Sequence, residues 1–180
     1  MTAAAAPDRG PVGRALDTLY DGTAALGAIA MVLLLVMVML SIISRQVGFN
    51  VPGVDAYAGY MMAGAGFLAM AHTLKRGEHI RVTLILSALR GKALHGLELW
   101  ALFAASCLAL LMAIYSCKLA WQSYLFHDIS TSNDATPLWL PQLAMAAGAV
   151  VLAIALVDEL VLEIRGRRTV PVSDEPLRNE

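Results

Sequence analysis

The sequence predicts an all-α integral membrane protein of four spans, with both ends in the cytoplasm. Three observations predict it. Apolar residues make up 58% of the 180 and charged residues only 15%, against about 45–50% and about 25% in soluble domains. The apolar residues are gathered into four runs of about 20, the length that crosses a hydrocarbon layer of roughly 30 Å at about 1.5 Å per residue. The cations lie almost entirely on one side of those runs.

Residues 1–22 read as a cytoplasmic segment. They are too long and too acidic for the basic region of a signal peptide, and no small-residue cleavage site follows the next apolar run. That run, 23–44, carries no charge and reads as a retained first span. Further spans fall at about 56–74, 99–117 and 138–157, completing a membrane domain over 23–161. A buried soluble helix seldom sustains such length without a polar face. The tail, 162–180, reads as disordered and cytoplasmic.

Orientation follows from Lys and Arg. With the N-terminus inside, Arg9, Arg14, Lys75, Arg76, Arg81, Arg90, Lys92, Arg165, Arg167, Arg168 and Arg178 are cytoplasmic, leaving Arg45 and Lys118 outside. The positive-inside rule then gives an N-in, C-in topology. Trp121, Tyr124, Phe126 and Trp139 bracket the second outer loop, where amphipathic rings favour the headgroup zone. Pro137 and Pro141 suit the start of the fourth helix, where missing amide donors matter little.

Between spans two and three, Val82, Ile85, Leu86, Leu89 and Ala93 recur at helical spacing, with Arg81, Ser87, Arg90 and Lys92 mainly elsewhere on the wheel. This predicts a short amphipathic helix at the cytoplasmic surface, its cations near anionic lipid, the alternative being an inward extension of span three.

The spans hold almost no ionisable groups, and transporters that move ions or acids usually keep such groups in the membrane. Nor do they show the Gly/Pro breaks that build substrate sites from discontinuous helices. Glu98, Lys118, Asp158 and Glu159 fall at span ends, within reach of the interface. These features point away from an enzyme, and from a transporter able to act alone. No cofactor is expected. The net charge of −1 argues against nucleic acid as a partner. Cys107 and Cys117, ten apart in one apolar run, are not on one face and cannot pair with each other.

Small residues form stripes. Gly59, Ala63 and Gly66 share a face of span two, and Ala144, Gly148, Val151 and Ala155 share a face of span four. Such faces let helix backbones approach in lipid, either within this chain or against a partner. Arg45 and Asp55 flank the first outer loop, either paired across spans one and two or separately solvated. His72 and His95, both near the inner face, raise an alternative reading, a haem-bearing membrane anchor for a redox enzyme.

Several features occur in an order that is similar to a known family. Arg45 closes the first span, Asp55 opens the second, and KRGEHIRV follows at 75–82. The stretch TSNDATPLWLP at 131–141 leads into the fourth span. Over about 16–163 the chain resembles the small membrane subunit, the Q component, of tripartite ATP-independent periplasmic (TRAP) transporters. The resemblance implies a scaffold subunit in the bacterial inner membrane that holds a large, many-spanned permease subunit. It also implies a periplasmic substrate-binding protein, sodium coupling and import of an organic acid. Gly77 and His79 then read as a structured turn at the inner interface facing the large subunit, or else as a plain polar loop, and Arg81 is a further candidate for that interface.

Overall fold

A computed structural model describes residues 10–49, 51–75 and 92–166. The expected surface helix lies outside these residues, as do Gly77, His79, Arg81 and the C-terminal tail. Four helices account for nearly all of the described chain: α1 (Gly10–Val47), α2 (Val54–Lys75), α3 (Lys92–Leu125) and α4 (Trp139–Ile164). Three contain lengths apolar enough to cross a membrane, namely Gly13–Val47, Leu94–Leu125 and Trp139–Ile164. The 22 residues of α2 would reach about 33 Å, but tyrosines, glycines and His72 dilute its apolar character.

The helices overrun the apolar runs that announce them. α1 begins at Gly10 rather than near residue 23 because nothing after Pro11, in the first turn, breaks the helix. Tyr20, only 2% exposed, packs with Ala71, Val151 and Ala155, so the packed body starts before the uncharged stretch. α1 ends on a Schellman turn. Gly48 takes a φ of +75°, and the Phe49 and Gly48 amides donate to the Ser44 and Arg45 carbonyls at 2.9 and 3.4 Å. α3 closes the same way with His127 in the left-handed region, φ 53°. There the Asp128 and His127 amides donate to the Ser123 and Tyr124 carbonyls at 3.0 and 3.4 Å. Of the two prolines, Pro137 lies before α4, in a single bridge to Ile129, and Pro141 lies within its first turn.

Two antiparallel hairpins, α1/α2 and α3/α4, meet along α2 and α4, so the helices stand in the order α1, α2, α4, α3. α1 and α3 form the flanks and do not pack on one another. The interior is built from small residues, with Ala109, Ala113, Ala149, Ala153 and Leu156 forming one cluster. Bulky side chains such as Leu35, Val36, Leu108 and Leu111 point outward. Lipid supplies no hydrophobic drive between helices, so close backbone approach and dispersion hold such a seam. Gly148 marks the tightest point, where a Cβ would stand 2.5 Å from the carbonyl carbon and oxygen of Phe67.

Candidate interface: clamps at both ends of the helix seam

Polar chemistry is concentrated at the two ends of the α2/α4 seam. Three buried hydroxyls along the helices are satisfied locally. Thr23, Ser44 and Ser106 donate to the carbonyls of Tyr20, Ser41 and Leu102 at 3.0, 2.9 and 2.7 Å, the local bonding by which a hydroxyl is tolerated in a helix.

At the end holding the α1–α2 turn, Arg45 and Asp55 form an ion pair at 2.9 Å. The Ser41 hydroxyl donates to the other Asp55 oxygen at 2.8 Å. Both charges are largely exposed, 72% and 75%, so in water the pair would contribute no more than about 1 kcal/mol. Next to it the second loop folds over the start of α2. Tyr60 donates to Asp134 at 3.0 Å, and the Thr136 and Tyr57 hydroxyls are hydrogen-bonded to one another at 3.1 Å.

The loop can sit this low because residue 53 is glycine. Its φ is +83°, and a Cβ there would lie 2.8 Å from the Asp134 Cβ. Burial opposes charge on Asp134, but the Thr136, Ser130 and Tyr60 hydroxyls and its own backbone amide outweigh it. Together they lower the carboxyl to about 2. A polar cleft of about 250 Å³ opens between the loops, lined by Arg45, Asp55, Ser132 and Asn133 among others.

At the opposite end, Lys75 closes α2 and reaches two acids of α4. Its ammonium binds the Asp158 carboxylate and donates to Glu159 at 3.0 Å. It also lies over the Tyr20 ring, 5.3 Å from the centroid. The Lys75 and Glu159 side chains are 10% and 12% exposed, so α1, α2 and α4 are tied by a shielded charge cluster. Two histidines extend the belt: His72 Nδ1 lies 3.2 Å from Asp21 and His95 Nδ1 3.0 Å from Glu163.

These positions refine the sequence expectations. Arg45 and Asp55 are brought together. Gly148 lies in the seam, with Ala144 near Gly64 and Val151 and Ala155 buried. The α2 stripe turns the other way, for Gly59, Ala63 and Gly66 are exposed and the two glycines have open space at the Cβ position. The α2 residues that meet α4 are Gly64, Phe67 and Ala71. His72 and His95 stand on α2 and α3, which α4 separates in the helix order, and they pair with Asp21 and Glu163.

The Lys75 cluster and the Asp134 network were missed from the sequence. Asp158 and Glu159 read as interfacial charges at a span end, and Lys75 as one of many loop cations. A signal did exist. An acid pair and a lysine at the same end of two spans are natural partners once both helices run the same way.

A family model described as "Tripartite ATP-independent periplasmic transporters, DctQ component" matches residues 34–166. Neither a curated protein nor a solved structure matches the chain.

Proposed function

Because the chain belongs to the DctQ family of tripartite ATP-independent periplasmic transporters, we propose that it is the non-catalytic small scaffold subunit of such a system. In this reading four helices cross the bacterial inner membrane, α2 being the fourth crossing, with both chain ends in the cytoplasm. α2 tolerates its lower hydropathy because α1 and α4 cover two of its sides. The partners are a large permease subunit, which carries the substrate and sodium sites, and a periplasmic substrate-binding protein. The cargo is an organic acid, imported against its gradient by sodium.

One observation carries the scaffold role. Lys75 binds the shielded carboxylates of Asp158 and Glu159 across the helix seam, as charges that fasten helices do. An ion or acid site would instead present its charge to a cavity. Gly77, His79 and Arg81 are proposed as contacts to the large subunit at the inner face. The outward stripe Gly59, Ala63 and Gly66 offers the same subunit a surface for close backbone approach.

Uptake by sealed vesicles tests the assignment. Vesicles holding this chain, the large subunit and the binding protein accumulate the organic acid when a sodium gradient is applied. Vesicles holding this chain alone do not. Accumulation by the chain alone would overturn the scaffold role.

A further inference from the structure

α3 and α4 leave an outward groove between them that the scaffold role does not use. Its deeper part, about 570 Å³, is lined by Leu110, Ala113 and Cys117 of α3 and by Val150, Ala153 and Val157 of α4. A second hollow of about 310 Å³ continues from Cys117 to Trp121, Tyr124 and Trp139. On α3 the lining recurs at 110, 113, 117, 121 and 124, one helical stripe. From Leu110 to Trp121 the groove runs about 16 Å at 1.5 Å per residue, roughly half of the 30 Å hydrocarbon layer. It therefore has the reach of one leaflet.

The two ends differ in chemistry. The deep end is apolar. At the loop end the Tyr124 ring meets Trp139 edge-on at 5.7 Å and Trp121 at 6.1 Å, and these rings make no hydrogen bond through their polar tips among the described residues. Such donors sit where ester and phosphate oxygens lie in a bilayer. Lys118, three residues before Trp121 on the same flank of α3, has no acidic partner among the described residues and can extend its ammonium toward the same level.

We propose that this groove holds one resident glycerophospholipid. One acyl chain lies in the Leu110–Val157 part, and the glycerol esters and phosphate meet the aromatic cage and Lys118. An apolar helix from another protein would fill the deep groove equally well, but it would bring no anionic oxygen to the unpaired lysine and the free ring donors. The inference rests on α3 and α4 crossing the membrane.

The test uses the full chain extracted in mild detergent, with phospholipid per chain counted by native mass spectrometry and phosphate assay. Wild type retains about one lipid through washing. Lys118→Ala loses one charge-assisted contact and lowers retention about tenfold, about 1.4 kcal/mol. Val157→Trp, at an exposed position of the lining, fills the groove and lowers retention at least as far, with helicity by circular dichroism as the folding control. Absence of bound lipid from wild type, or equal retention by all three, overturns the proposal. So does cross-linking from Cys117 in native membranes to a polypeptide rather than to a photoactivatable phospholipid. Alkaline extraction of membranes separates the premise: release of the chain refutes membrane insertion itself, whereas an inserted chain without lipid refutes only the groove site.

Discussion

Gly148→Ala is the most demanding test of the helix seam, because a single methyl group meets backbone rather than a side chain that can turn away. The added Cβ would stand 2.5 Å from the Phe67 carbonyl carbon and oxygen, and 2.8 Å from its Cβ. Carbon contacts are at rest near 3.5–4.0 Å, so α2 and α4 must part by about 1 Å. Overpacking of this kind costs about 1–3 kcal/mol, and the better helix propensity of alanine returns up to about 1 kcal/mol. The expected net loss is about 1–2 kcal/mol, a fall in Tm of about 2–8 °C for a chain of this size.

Gly66→Ala is the matched control. It makes the same chemical change on α2 but at a position with nothing within 4 Å, so it leaves Tm unchanged or raises it slightly. Thermal unfolding in detergent, followed by circular dichroism and by recovery of monodisperse protein, reads both variants. If Gly148→Ala matches wild type, or if the two alanines shift Tm equally, then α2 and α4 do not meet at this glycine.

The charge clamps make further predictions. Lys75→Ala takes the shared lysine away from Asp158 and Glu159 in a shielded site and should destabilise by about 3–5 kcal/mol. Adding Asp158→Asn and Glu159→Gln should recover much of that loss, and failure of the triple variant to recover would show that the lysine acts otherwise. The Asp134 carboxyl, lowered in the folded protein from 3.8 to about 2, contributes stability that is fully present above about 3.8 and is lost as pH falls through about 2. Limited proteolysis of the 126–138 loop should therefore accelerate across that window in wild type. Asp134→Asn should flatten the profile, and an identical pH response in both would refute the linkage. Single reversals at Arg45 or Asp55 should each cost no more than about 1 kcal/mol, and the double swap should restore stability and recovery of the assembled complex. If it does not, the pair is not what joins α1 to α2 at that end.

Much of the architecture was legible before folding, and for a physical reason. In lipid every backbone amide and carbonyl needs an internal partner, so a long uncharged run has little choice but to be a helix. The runs in α1, α3 and α4 therefore announced themselves, as did α2 despite its lower hydropathy. The helix ends were less legible. A helix does not stop where its apolar run stops, so α1 extends back to Gly10 and α3 begins at Lys92. The candidate site divides in the same manner. Arg45 and Asp55 flank one short turn, and their pairing could be foreseen from proximity. Lys75 and Asp158 are 83 residues apart, and no local pattern relates them.

What this sequence settles without help is the number of long helices among the described residues and the family to which the chain belongs. Tertiary structure alone decided which side of α2 is the inside. Glycine and alanine occur all round that helix, so periodicity could not choose between the Gly59–Ala63–Gly66 face and the Gly64–Phe67–Ala71 face. The choice fell to shape: Phe67 needs a neighbour without a side chain, and Gly148 of α4 supplies it. That contact also sets the register in which Lys75 meets Asp158 and Glu159 at one end and Tyr60 meets Asp134 at the other.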